Sequence, residues 1–117
     1  MHEMGIAIQI IEVAKSSIPE NMKDVPVEKV HIQVGKLSAV VPSSLSFCFD
    51  IAVKDTPLDG ACLDIKEMPV TLKCSNCENI WTIDTPIFEC SKCNHTNIEI
   101  ISGRELDIIS IEMAQDI

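Results

Sequence analysis

The sequence has few basic residues and no long apolar run. Each of these shortages argues against a class of function. It has nine Lys and Arg against eighteen Asp and Glu, a formal net charge of −9. Nucleic-acid binding draws on Lys and Arg contacts with phosphates, so this balance favours a protein or a metal ion as the partner. No apolar run approaches the roughly 18 residues of a membrane span, and the N-terminus lacks a basic-then-apolar signal pattern. We therefore expect a cytoplasmic protein that contacts neither nucleic acid nor membrane.

The motifs that support common kinds of catalysis are also missing. The four glycines form no phosphate-cradling loop or dinucleotide fingerprint, and no hydrolytic triad is recognisable. Aromatic residues make up only 3% of the chain, but 46% of it is apolar, which is enough for a core. A chain of 117 residues fits one ordinary domain, or one domain with a small insert. We expect a protein that binds rather than an enzyme.

Two Cys-x-x-Cys pairs separated by twelve residues are the strongest motif. They comprise Cys74, Cys77, Cys90 and Cys93. This spacing predicts one tetrahedral zinc held by four thiolates, and such a closed site is structural. Iron in the same cage, a redox dithiol pair or a disulfide pair remain alternatives.

The residues around this motif carry further expectations. The twelve-residue spacer is about long enough for two short strands, and Trp81 and Phe88 within it are expected to pack over the cage and shield the sulfurs. The other two cysteines, Cys48 and Cys62, are expected to be buried free thiols.

The hydrophobic pattern predicts an α/β (α+β) fold with two helices. Residues 4–17 have helical period with a broad apolar face, and Pro42 suits the first turn of a second helix. Alternation predicts strands at residues 28–34, 61–66, 98–101 and 106–113. The alternation changes phase between Ile108 and Ile109, which indicates a bulge or a strand covered on both faces. His31 is interpreted as a solvent-facing strand residue.

These elements predict a small mixed sheet with two helices and an inserted four-cysteine zinc ribbon. The first domain is expected to comprise residues 1–69 and 98–117, and the insert residues 70–97. The strands on either side of the insert are expected to pair at its base.

The N-terminus begins Met1-His2-Glu3, which offers a second set of metal donors. The free amine, backbone amides and the His2 imidazole can chelate one ion through adjacent rings. A planar, nitrogen-rich set suits Ni(II) or Cu(II). The alternative is structural, because Glu3 also places a negative charge where a helix dipole favours it.

Together these features resemble the HypA/HybF family of nickel-incorporation proteins over nearly the whole chain. The resemblance is carried by Met1-His2-Glu3 before an amphipathic helix, by Val34-Gly35 followed by Leu37-Ser38, by Leu45-Ser46-Phe47-Cys48-Phe49-Asp50, and by the late cysteine pairs. It implies a nickel metallochaperone for hydrogenase maturation. The resemblance maps transported Ni(II) onto His2, Glu3 and Met1, and structural zinc onto the four cysteines.

The resemblance also implies partners. These are a nickel-handling maturation GTPase (HypB-like) and the hydrogenase large subunit, while a homodimer is left open. The sequence departs from the family where some members have a further side-chain ligand after the first strand, because Val40 and Val41 offer no donor. His95 is the remaining histidine near the cysteine pairs, and the fourth nickel ligand is left open between the Met1 amine, His95 and water. Two other functions stay open: a zinc-ribbon interaction module for nucleic acid or a protein complex, and an iron-containing electron carrier.

Overall fold

The computed structural model describes residues 2–114 and contains two small sheets and two helices. The elements are α1 (Glu3–Ser16), a short 3-10 turn (Glu20–Met22), β1 (Val27–Gly35), α2 (Pro42–Ala52), β2 (Cys62–Met68), β3 (Val70–Cys74), β4 (Ile80–Ile83), β5 (Ile98–Ser102) and β6 (Leu106–Met113). The predicted fold class is confirmed. Within residues 2–114, no helix has the length and apolar character needed to cross a membrane.

The first sheet has the order β2-β1-β6 and carries the main core. β1 is parallel to β2 and antiparallel to β6, so the sheet is mixed. Val30, Ile32 and Val34 alternate along β1 and are almost completely buried, as the pattern predicts. The buried helical residues that complete this core are Ala7, Ile10, Ile11 and Ala14 of α1, and Leu45 and Phe49 of α2.

The apolar face of α1 is less completely buried than its sequence suggests. Ile8 is 50% exposed and Val13 is 43% exposed, whereas Ile10 and Ile11 are buried. The broad apolar face predicted for residues 4–17 is therefore only partly buried. α1 packs beside α2 over a sheet of only three strands, and that layer has too little surface to cover both flanks of the helix.

The phase change in β6 is a β-bulge. Ile32 lies opposite Ile108 and His31 lies opposite Ser110, so Ile109 has no counterpart on β1. The extra residue moves the inward-facing set from Ile108 to Ile111 and leaves Ile109 55% exposed. This confirms the bulge, and not double-sided cover, as the cause of the changed alternation.

The second sheet has the order β4-β3-β5 with antiparallel pairing throughout. Its central strand, β3, ends at Cys74, the first residue of the first cysteine pair, and was not predicted from the sequence. The twelve-residue spacer contributes one strand, β4, and β5 follows the second pair. β5 pairs with β3 and thus joins this second sheet, and the division of the chain into domains stays a prediction.

A turn after β1 joins the two sheets. The backbone N–H of Gly35 donates to the Glu105 carbonyl at 2.7 Å, and that of Leu37 donates to the Gly103 carbonyl at 2.7 Å. Lys36 N–H donates to the Met68 carbonyl at 3.1 Å. Both chain segments that lead into and out of the second sheet are therefore held by the same short turn.

Candidate metal sites

The four cysteines converge at one end of the second sheet on two similar turns. Cys74 N–H donates to the Asn79 carbonyl and Cys90 N–H to the His95 carbonyl, both at 2.9 Å. The residue after each pair, Glu78 or Asn94, has a left-handed backbone with φ of 63° or 60°. A left-handed backbone at a non-glycine residue costs on the order of 1 kcal/mol. The two turns have the same shape and direct both pairs of sulfurs to one point.

The sulfur positions fit a tetrahedral zinc. The four Sγ atoms lie within 4.8 Å of one another. The Cys74–Cys93 separation is 3.6 Å and the Cys77–Cys90 separation is 3.5 Å. A tetrahedron with Zn–S bonds of about 2.3 Å has S–S edges of about 3.8 Å. The four-cysteine group can therefore hold a structural zinc without rearrangement of the chain.

Hydrogen bonds at the second turn favour the thiolate. The backbone N–H groups of Cys93 and Lys92 both donate to Cys90 Sγ at 3.4 Å. The Cys93 N–H is the main cause that lowers the pKa of Cys90 to about 6. The backbone N–H of His95, followed by the Asn76 amide, lowers the pKa of Cys93. The lowered pKa values favour the thiolate form of Cys90 and Cys93, which is the form that binds a metal.

The first turn behaves differently. The backbone N–H of Asn79 acts to lower the pKa of Cys77, but desolvation and hydrogen bonds with the neighbouring thiols outweigh it and raise that pKa to about 11. A cation bound in the cage would favour the Cys77 thiolate. Metal binding is consequently coupled to proton release.

The cage is closed by protein on one side only. Cys74 and Cys90 are buried, whereas Cys77 and Cys93 are exposed. Trp81 is half-buried and Phe88 is 39% exposed, and their packing over the sulfurs stays a prediction. Among the free thiols outside the cage, Cys48 is half-buried at the edge of the core. Cys62 is exposed, contrary to expectation, because it alternates with the buried Leu63 and lies on the outer face of the sheet.

The N-terminal donors lie at the start of α1. His2 has an extended backbone, with φ of −88° and ψ of 91°, and an exposed side chain. Its carbonyl accepts a hydrogen bond from Ile6 N–H at 3.3 Å. Glu3 is half-buried, and its Oε2 accepts a hydrogen bond from the Val41 N–H at 3.3 Å. Met1 lies outside the described residues, so the structure gives no position for its amine.

A polar cluster on the outer face of the first sheet was missed by the sequence analysis. His31 Nδ1 lies 2.7 Å from Asp64 Oδ2, and His31 Nε2 lies 2.9 Å from Glu112 Oε2. The Glu112 hydrogen bond, followed by that to Asp64, raises the pKa of His31. The three side chains belong to three strands and to distant parts of the chain, so only the sheet order could have revealed them.

Comparison with protein families gives a match over almost the whole chain. A family model described as "HypA: Hydrogenase/urease nickel incorporation, metallochaperone, hypA" matches residues 1–113. A hydrogenase maturation factor HypA of Desulfosudis oleivorans is 54% identical over 115 residues, covering 98% of this chain and all of the relative. Another from Desulfatibacillum aliphaticivorans is 52% identical over 114 residues, covering 97% and 88%.

Solved structures are similar over the same extent. The solution structure of the Ni metallochaperone HypA from Helicobacter pylori has a TM-score of 0.68 and 25% identity, and covers 99% of this chain and 100% of its own. A second solution structure of a HypA protein has a TM-score of 0.71 and 26% identity, with 97% of each chain covered. The overall fold is thus shared with these proteins.

Proposed function

The chain belongs to the HypA family of hydrogenase and urease nickel-incorporation metallochaperones, and on that premise we propose that it carries Ni(II) at its N-terminus. The ligands are the His2 imidazole, backbone amide nitrogens of His2 and Glu3, and the Met1 amine. The observation that carries this proposal is the exposed, extended His2 directly before α1. An exposed chelate suits a protein that must accept an ion and release it again.

The residues after β1 support a backbone-rich nickel site. Val40 is buried and Val41 is exposed, and neither side chain offers a donor. The Glu3 carboxylate is directed to the Val41 N–H. We therefore assign coordination to nitrogen atoms of the N-terminus, with water completing the shell. Ni(II) prefers the tetragonal geometry that such a set provides.

We assign structural zinc to Cys74, Cys77, Cys90 and Cys93. Zinc bound there would cross-link the two turns. Its role is structural and not catalytic. The second sheet has few buried apolar side chains, chiefly Val70 and Leu72, and depends on such a cross-link for stability. On this assignment residues 70–97, with β5, act as a scaffold, and residues 1–69 with the C-terminal strand act as the nickel carrier.

The partners we propose are a nickel-handling GTPase of the maturation pathway and the hydrogenase large subunit as acceptor. A homodimer is compatible with this role. The protein acts by binding and transfer rather than by catalysis. We place it in the cytoplasm, since the four cage thiols require a reducing compartment to remain able to bind zinc.

The test is a calorimetric Ni(II) titration of the zinc-loaded protein. His2→Ala should abolish tight nickel binding and leave one zinc bound, whereas the matched variant His95→Ala should bind nickel like the wild type. Extra residues before Met1 should weaken binding if the amine is a ligand. Undiminished nickel affinity in His2→Ala would show that the site lies elsewhere.

A further inference from the structure

A groove of about 320 Å³ opens between α1 and β6 along one side of the main core. Its walls are chiefly apolar, from Ile6, Ile10 and Val13 on the helix and from Leu106 and Ile108 on the strand. Asp107 alternates with Leu106 and Ile108 and lies opposite Gln33 of β1, so its carboxylate is on the outer face of the same edge strand. The edge of β6 therefore presents apolar side chains to the groove on one face and a carboxylate on the other.

Apolar side chains on both walls remain accessible. Val13 of α1 is 43% exposed and Leu106 of β6 is 40% exposed. Scattered exposed apolar residues are ordinary on protein surfaces. Here, however, two of them face the same groove, and the groove continues into a strand edge.

β6 is an edge strand of the first sheet, because the sheet order is β2-β1-β6. Within the described chain its outer backbone N–H and C=O groups meet no further strand. Such an edge accepts an extended segment through main-chain hydrogen bonds, and pockets for alternate side chains give specificity. The occupant that fits this surface is therefore an extended strand.

A second copy of this chain fits poorly. Antiparallel pairing of two β6 strands about Ile109 and Ser110 would place Asp107 opposite Glu112 of the other copy. Like charges directly opposite one another destabilise a strand pair. Each copy also carries a net charge of −9, so two copies repel one another.

We infer that this surface binds an extended segment of a different protein, in which Lys or Arg neighbours a bulky apolar residue. The segment pairs with β6, its apolar side chain enters the groove, and its cation meets Asp107. This interaction surface requires neither metal and does not rest on the proposed nickel site.

The probes are two labelled peptides of about eight residues, a usual strand length. One alternates Leu with Lys and the other alternates Leu with Glu. With the zinc-loaded full chain, the Leu/Lys peptide should bind saturably in fluorescence anisotropy and shift amide resonances of residues 6–13 and 106–111. The Leu/Glu peptide should bind at least about tenfold more weakly, because the charges no longer complement one another.

Two charge-reversal variants distinguish peptide binding at this surface from general electrostatic attraction to an acidic protein. Asp107→Lys should weaken Leu/Lys binding about tenfold. Asp50→Lys changes the net charge equally on the exposed face of α2 and should leave binding nearly unchanged. Equal losses in both variants, resonance shifts confined to other regions or no saturable Leu/Lys binding would each overturn the inference. Concentration-dependent dimerisation through β6 would assign the surface to a second copy and overturn it as well.

Discussion

The backbone N–H of Val41 donates a hydrogen bond to Glu3 Oε2 at 3.3 Å, and this contact links the first residues of the two helices. Val41 is the N-cap of α2, and Glu3 is the first residue of α1. Helix N-termini carry a partial positive charge, so one carboxylate stabilises both. Because His2 directly precedes Glu3, the same contact limits where the His2 imidazole can lie.

Replacing Glu3 should therefore weaken nickel binding without removing a side-chain ligand. We expect Glu3→Ala to lower nickel affinity several-fold and to cost about 1 kcal/mol of stability, the usual cost of losing an N-terminal capping interaction. Glu3→Gln should retain part of the nickel affinity and part of the stability, since its amide oxygen still accepts a hydrogen bond from Val41 N–H. Calorimetry gives the affinity, and hydrogen exchange of the Val41 amide reports the contact itself.

Glu12→Ala is the control for this pair, because Glu12 is exposed on the same helix and pairs only with Lys15 one turn away. Its nickel affinity should match the wild type. If Val41 exchange accelerates in Glu3→Ala while nickel affinity stays unchanged, the contact stabilises the helices but does not position His2.

Local patterns predicted the parts of the fold that depend on neighbouring residues. Helical period placed α1 and α2, and alternation placed β1 and the bulge in β6. The paired cysteines indicated a cage whose sulfurs do converge. These features arise from spacing along the chain, which is visible without any tertiary information.

Features that depend on distant residues could not be predicted in the same way. His31 meets Asp64 from 33 residues away and Glu112 from 81 residues away, and only the register of three strands brings them together. The pairing of β5 with β3, and the exposure of Val13, likewise follow from sheet order and from how few strands the helices cover. Sequence pattern specifies which face is apolar but not how much surface exists to cover it.

Loss of one cage thiolate should release zinc and loosen the second sheet. Cys90→Ser removes a buried sulfur whose low pKa makes it a ready thiolate. We expect zinc affinity to fall by at least about tenfold, because the replacement hydroxyl is a poor zinc ligand. Competition with a chromophoric chelator measures the change, and amide exchange in β3–β5 should rise.

Cys62→Ser is the matched control, since Cys62 is an exposed thiol on β2 away from the cage. It should retain one zinc with unaltered affinity. Full zinc retention by Cys90→Ser would show that Cys74, Cys77 and Cys93 suffice.

The His31 cluster should make stability depend on pH in a specific direction. Its hydrogen bonds to Glu112 and then Asp64 raise the folded-state pKa above 6.5. A raised folded-state pKa means that the fold binds the imidazolium more tightly than the unfolded chain does. The contribution is therefore fully present below pH 6.5 and is lost as pH rises through the folded-state pKa.

We expect the difference in denaturant midpoint between the wild type and His31→Gln to be larger at about pH 6 than at about pH 9. Other charges facing the cluster are Lys29, which lies opposite Glu112, and Lys66 on β2. Both Lys residues are present in the wild type and in His31→Gln alike, so the difference between the two proteins reports His31. A difference that grows toward high pH would contradict the assignment.

The last prediction concerns Gly35, where the turn after β1 meets the second sheet. A Cβ at this position would overlap the Gly103 carbonyl and crowd Arg104 N, all backbone atoms that cannot rotate away. Gly35→Ala should therefore cost on the order of 1–3 kcal/mol, as overpacking does. Gly5→Ala makes the same chemical change in α1, where a Cβ meets no atom within 4 Å, and should stabilise the helix by about 0.5–1 kcal/mol. Urea unfolding of the zinc-loaded proteins, followed by circular dichroism, compares the two.

The hydrogen bonds of Gly35 and Leu37 to Glu105 and Gly103 hold both linking segments, so Gly35→Ala should also speed amide exchange at Leu37. Equal midpoints for the two variants would mean that the sheets can separate here at no cost, and that the turn does not join them.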